Sequence, residues 1–243
     1  MNQITDVKTP DSPYKELFVV GGIAAMLAGL LTLSEVIGFS FCPQPVTIQE
    51  WFLLFNRNLF IGLFSFWGLE VLMYLMFILV FLALYVVLRK YNEGRMMIAL
   101  ALALLGIAIF LATNNPVSML SLSNLYATAT TEVEKETILA AGQAVLTNTN
   151  QRVVDGFNMG LFLVAVAGLL VSSVMVVSKE FSNKTAFIGI LANGLTLADY
   201  IREVLTSSPV IALLVILPNA LFLIIWFLMV GRRLYRLQAS LAE

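Results

Sequence analysis

The side chains able to do chemistry in this sequence are carboxylates and guanidinium groups, and the stretch TLADYIREVLTSSP (196–209) holds their densest set. Asp199, Arg202 and Glu203 continue an apolar run, AFIGILANGL, and their i, i+3, i+4 spacing puts all three on one face of a helix. That face can pair internally and can also meet Glu35, Glu70 and Asp155 from neighbouring helices, which sets five acids against the three arginines Arg57, Arg152 and Arg202. Other chemistries fail on inventory. The chain has no histidine, so imidazole ligands, bases and pH switches are all excluded. Zinc hydrolysis on histidine ligands, Ser–His hydrolysis and histidine-ligated haem go with them. The single cysteine, Cys42, gives neither an intramolecular disulfide nor a cysteine metal site. LADY (197–200) does not supply the YD and GxGD settings of an aspartyl intramembrane protease, and no glycine loop is built to cradle phosphate. The expectation is a protein that is not an enzyme and carries no metal or cofactor.

The elements that must position these groups lie in hydrocarbon. Of the 243 residues 60% are hydrophobic and only 12% charged, about half the charged fraction of a soluble domain. Too little polar surface remains to coat a water-soluble globule, and the long apolar runs identify an integral membrane protein. A net charge of −1 argues against a nucleic-acid partner; membrane lipids are the obligatory surroundings. The polar start MNQITDVKTPDSPYKE lacks the basic flank of a signal peptide.

Six apolar stretches are long enough to cross a bilayer: 17–40, 61–88, 96–113, 153–178, 185–205 and 209–230. Their length and continuity require helices, not barrel strands, so the fold class is an all-α integral membrane bundle of six transmembrane helices. The expected organisation is a cytoplasmic N-terminal segment (1–16), a membrane domain (17–231) and a cytoplasmic tail (232–243). Orientation follows from lysine and arginine. The side holding both termini and the turns RKYNEGR and KEFSNK carries ten of them, and the opposite side carries Arg57, Lys135, Arg152 and Arg202. Both termini are therefore expected in the cytoplasm. The outer loops (41–60 and 114–152) each contain a capping box, Thr47/Glu50 and Thr131/Glu134. The first loop reads as a short interfacial helix with Trp51 in the aromatic belt, and the second as two short amphipathic helices.

Depth can be counted at 1.5 Å per residue from the inner end of each span. Glu35 and Glu70 both come out about 27 Å up, Asp155 about 33 Å, Asp199 about 20 Å and Arg202 about 24 Å. Four helices thus carry an acid in the outer third or at the outer end. A charged group facing lipid there costs at least ~2.5 kcal/mol, so these side chains should face the bundle or a water-filled vestibule. The positive partners available are Arg57, Arg152 and Arg202, with Asn56, Asn58 and Asn158 adding neutral polarity. The plain alternative is that the charges snorkel to the interface and pair there with little effect. Gly156 and Gly160 read as a helix-packing pair. Asn193–Gly194 and Pro218–Asn219 mark kinks, or local breaks beside a binding site.

The segments NPVSMLSLSNLYATATTEVEKETILAAGQAVL (115–146), FIGILANGL (187–195) and IWFLMVGRRLYRL (225–237) resemble, in this order, a family of bacterial and archaeal multi-pass membrane proteins known as a domain of unknown function. The resemblance implies a six-helix fold in a prokaryotic cytoplasmic membrane and brings no activity, cofactor or catalytic residue with it. Two expectations of function stand side by side. The first is binding or translocation of a small solute, ion or lipid in an outward-facing polar cavity lined by Asp199, Arg202, Glu203, Glu35 and Glu70, with Arg57, Arg152 and Asp155 as pairing partners. The second is an accessory subunit whose outer face docks another membrane protein or a second copy. A carboxylate-only lipid enzyme is a third, weaker possibility, and the apolar inner halves argue against a continuous pathway.

Overall fold

The computed structural model describes residues 14–41, 44–148, 158–205 and 208–239. Its elements are helical: α1 (Lys15–Phe41), α2 (Ile48–Arg57), α3 (Leu59–Leu63), a π-turn (Phe64–Gly68), α4 (Leu69–Leu88), α5 (Glu93–Thr113), α6 (Pro116–Thr128), α7 (Glu132–Asn148), α8 (Met159–Val177), α9 (Asn183–Leu205) and α10 (Pro209–Ala239). The chain runs from α3 through the π-turn into α4 without a break, so the described residues form nine separate rods. Six long ones close a ring in the order α1, α4, α5, α8, α9, α10 and back to α1. The helices α2, α6 and α7 pack together over one end, the capped end. The turns after α4 and α8 and the last turns of α10 make the other end, which is rich in lysine and arginine.

Five stretches are long and apolar enough to cross a membrane: Lys15–Gly38, Leu69–Leu88, Glu93–Thr128, Met159–Val177 and Val210–Leu237. The stretch expected as the fifth span, now α9, is not among them, because Asn193, Thr196, Asp199 and Arg202 lower its average. Three further expectations need adjustment. The helix expected over 153–178 is described only from Met159, after its Asn158 cap. The last helix does not stop near 230 but continues to Ala239, carrying its arginines on helical backbone. Neither Asn193–Gly194 nor Pro218 breaks its helix.

Inside a bilayer the exclusion of water does not drive one apolar helix onto another, so close backbone approach and dispersion must do so. The sequence GGIAAMLAG in α1 supplies the small residues for two contacts. A Cβ on Gly21 would lie 2.5 Å from Ala83 Cβ of α4, and one on Gly22 would lie 3.0 Å from the Gly231 carbonyl of α10. Across the ring, α5 and α8 meet at Gly106 and Gly160, where a Cβ on Gly160 would sit 2.5 Å from the Gly106 carbonyl.

Candidate functional site

The capped end owes its form to local signals. Thr47 and Glu50 make the reciprocal cap expected of them: Glu50 N donates to Thr47 Oγ1 at 3.3 Å, and Thr47 N donates to Glu50 Oε2 at 3.1 Å. Thr131 and Glu134 do the same at the start of α7, with 3.2 and 3.1 Å. Outside the bilayer these amide donors hold the Glu50 and Glu134 carboxyls below the usual glutamate range. The side chain of Asn56 pins α2 to α6, donating to Ser123 Oγ at 2.7 Å, while the Ser123 hydroxyl donates to the Phe52 carbonyl at 2.8 Å.

Trp51 is not in an aromatic belt facing lipid. It is fully buried in a second apolar core with Phe52, Phe55, Phe66, Met119 and Leu146, edge-on to Phe66 with ring centroids 5.2 Å apart. The amphipathic face of α2 therefore turns toward α6, α7 and the π-turn, which bury it more completely than an interface can. The π-turn explains how one rod serves two cores. Its extra residue re-registers the helix, so that Phe66 enters the cap core and Tyr74 and Phe77 enter the bundle core. The amide of Gln44 donates to the Ser65 carbonyl within this turn at 2.9 Å, tying the approach to α2 onto it.

Glu70 stands immediately beyond the π-turn and is buried, with 3% of its surface exposed; Glu35 on α1 is buried at 8%. The phenol of Tyr74, one turn along α4 from Glu70, lies within electrostatic reach of Glu70, Glu35 and the Tyr200 phenol. The structure thus gathers two carboxylates and two tyrosines from α1, α4 and α9. Tyr74 is stacked on Phe110 of α5, centroids 3.8 Å apart, and Tyr200 is edge-on to Phe162 of α8. The Tyr200 hydroxyl donates to the Asn158 carbonyl at 3.2 Å, and the Asn158 side chain donates to Thr113 Oγ1 at 2.9 Å while accepting from Gly160 N at 2.9 Å. These bonds lock the ends of α5, α8 and α9 together just below the cap. Among the described residues no three acids, cysteines or histidines are grouped as a metal ion would need.

The charged stretch that stands out in the sequence behaves differently. Arg202 Nε donates to Asp199 Oδ1 at 2.6 Å, an i, i+3 pair whose side chains are 11% and 22% exposed. At this level Tyr200 is the buried residue of α9, and the Asp199–Arg202 pair is half-buried beside it. Arg57 is exposed at the end of α2 and makes no ion pair among the described residues. Arg152, Asp155 and Gly156, and the side chain of Glu203, lie outside the described residues. Tyr74 and Tyr200 are the residues that sequence reasoning missed. The available signal was spacing, since Tyr74 follows Glu70 by four and must share its helical face.

A ring of apolar helices with buried acids under a folded cap defines a multi-pass membrane protein. The chain belongs to the family described as Domain of unknown function (DUF4386), whose model matches residues 17–231. Neither a curated protein nor a solved structure matches it.

Proposed function

We propose that the protein crosses a prokaryotic cytoplasmic membrane six times, with the basic end inside, and binds a small cationic solute beneath the outer cap. The observation that carries the binding site is the burial of Glu35 and Glu70 beside Tyr74 and Tyr200. Acids within membrane helices are rare and mark functional sites by default, and two of them near a pair of phenols favour a cation as the ligand. Carboxylates beside aromatic rings form the chemistry that recognises an ammonium group through charge and ring faces together. Asp199 and Arg202 then belong to the approach to the site, not to its floor. Binding, not catalysis, is the role these groups support.

Six crossings rest on the direction of the polar residues of α9. Its exposed side is apolar (Phe187, Leu191, Ile201 and Leu205), and its buried polar residues, Thr185 and Asn193, face the bundle. A helix exposing such a stripe is matched to lipid, whatever its average hydropathy.

The test is native mass spectrometry of the protein extracted gently from its host membrane, followed by thermal shift with alkylammonium compounds and their neutral isosteres. A bound cationic ligand, lost in Glu35→Gln and Glu70→Gln but retained in Arg57→Gln, is the expected result. At a hundredfold excess over Kd such a ligand stabilises by about 2.7 kcal/mol. A stoichiometric protein partner with no small ligand would favour the accessory-subunit reading instead, for which the separately cored cap offers a preformed docking face.

A further inference from the structure

At the basic end a cleft of about 430 Å³ opens between the turn that precedes α9 and the overhanging last turns of α10. Four cations line it, Lys179, Arg232, Arg233 and Arg236, against one carboxylate, Glu180. That carboxylate is already engaged. Lys90 Nζ lies 2.7 Å from one of its oxygens and Arg233 Nη2 3.4 Å from the other, while Arg233 Nε donates to the Glu180 carbonyl. Glu180 thereby orients Arg233 and adds little negative potential of its own. Lys179, Arg232 and Arg236 have no ion-pair partner among the described residues.

The floor of the cleft adds neutral donors. Ser182 caps α9, accepting from Thr185 N at 3.2 Å, and its hydroxyl shares a hydrogen bond with that of Thr185 at 2.9 Å. Ser182 and Thr185, at the start of the 23-residue α9, line this space, so the positive end of the helix dipole lies beside it. Met229 and Phe181 supply an apolar wall. We infer that this cleft binds the phosphate group of an anionic membrane lipid.

Arginine forks at fixed positions on helical backbone match phosphate oxygens in pairs. A lipid, not dissolved phosphate, is the source indicated by the placement. The apolar run of α10 continues to Val230 and the arginines begin two residues later, so the cleft opens where head groups sit. Met229 and Phe181 then meet the glycerol and the first methylenes of a chain. Basic clefts between membrane helices on the cytoplasmic side are suited to such head groups.

The experiment uses the full-length protein, delipidated in detergent and titrated by native mass spectrometry with phosphatidylglycerol, with phosphatidylcholine of the same chains, and separately with inorganic phosphate. Wild type is expected to hold phosphatidylglycerol at least tenfold more tightly than phosphatidylcholine. Each cation removed weakens such binding by roughly fivefold, so Arg232→Gln with Arg236→Gln together cost about 25-fold, and lysine at both positions, which keeps the charge but not the fork, restores only part of it. Melting of the lipid-free variant checks its fold, and the fall of the wild-type preference in 0.5 M salt reads the same electrostatics without any substitution. Equal retention of the two lipids by wild type, or an unchanged preference in the double glutamine variant, overturns the site. Arginine-dependent binding of inorganic phosphate with no binding of phosphatidylglycerol overturns the lipid as its source.

Discussion

Adding one methyl group at Gly160 should loosen the whole capped end. A Cβ there would stand 2.5 Å from the Gly106 carbonyl, 2.7 Å from Phe110 N and 2.9 Å from Asn158 Oδ1. Two of these atoms are backbone of the facing helix and cannot swing aside, so α5 and α8 must separate by about 1 Å to restore ordinary contact. Forced overpacking of this kind costs about 1–3 kcal/mol. The third atom is the oxygen that accepts from Gly160 N and Leu161 N, so its displacement weakens the cap of α8 by about 1 kcal/mol more. The sum, about 2–4 kcal/mol, corresponds to a melting point lower by roughly 5–15 °C for a chain of this size. The assay is thermal unfolding in mild detergent, followed by tryptophan fluorescence. Gly194→Ala is the control, because a Cβ at that interior position of α9 meets nothing within 4 Å. It should leave stability unchanged or raise it by up to about 1 kcal/mol. If Gly160→Ala melts with wild type and Gly194→Ala, the two backbones are not in contact and the ring of helices is wrongly closed between α5 and α8. Because Phe110 carries the stacked ring of Tyr74, the same substitution should also weaken any ligand held by Glu35 and Glu70.

The cap offers three further tests. Trp51→Ala should remove about 3–5 kcal/mol of cap stability, whereas Trp51→Phe should cost far less, since the buried indole N–H has no hydrogen-bond partner to lose among the described residues; proteolysis of the α2–α6 region reads both. Asn56→Leu, which keeps the volume but abandons Ser123, should cost about 1–3 kcal/mol and raise hydrogen exchange in α6 without changing ligand binding in the bundle. The Glu50 and Glu134 boxes should weaken in acid. Their carboxyls are held below the ordinary value of 4.5, so their contribution is complete above that value and is lost as pH falls through the lowered one. Exchange protection of the first-turn amides of α2 and α7, corrected for intrinsic rates, should therefore drop below about pH 4 in wild type. In Glu134→Gln, protection at α7 should instead be independent of pH.

Local rules of sequence carried the cap a long way. The two capping boxes are legible because each involves only four consecutive residues, and the helices follow from them. What covers the apolar face of α2 is not local, and a bilayer interface and a protein core ask for the same residues. Trp51 could therefore be placed on the correct side of its helix and still be assigned to the wrong surroundings. The π-turn was illegible for a related reason, since FSFWG has no marker of its own and only the demands of two cores, at Phe66 and at Tyr74, require an extra residue there. At the basic end the arginines of α10 were visible as charges that set orientation. Their convergence with Lys179 depends on how α8, α9 and α10 meet, and on a last helix that runs on to Ala239.

Counting rise per residue assigns each acid a level, because depth in a helix depends only on position along it. It could not rank them. Asp199 counted as the deepest and the most conspicuous, having two charged neighbours in sequence, yet Arg202 pairs with it inside its own helix and both stay half-buried. Glu35 and Glu70 stand alone in apolar sequence, and that isolation is the more informative sign: a lone acid has nothing nearby to satisfy it, so its burial has to be compensated by groups brought from other helices. The same logic bears on the low average hydropathy of α9. An average treats Asn193 and Leu191 as opposing votes, although they point in different directions, one toward the bundle and one outward. A helix that builds the polar lining of a site must be less apolar than its neighbours, and the site proposed here would draw its third helix from the one rod that averaging leaves out.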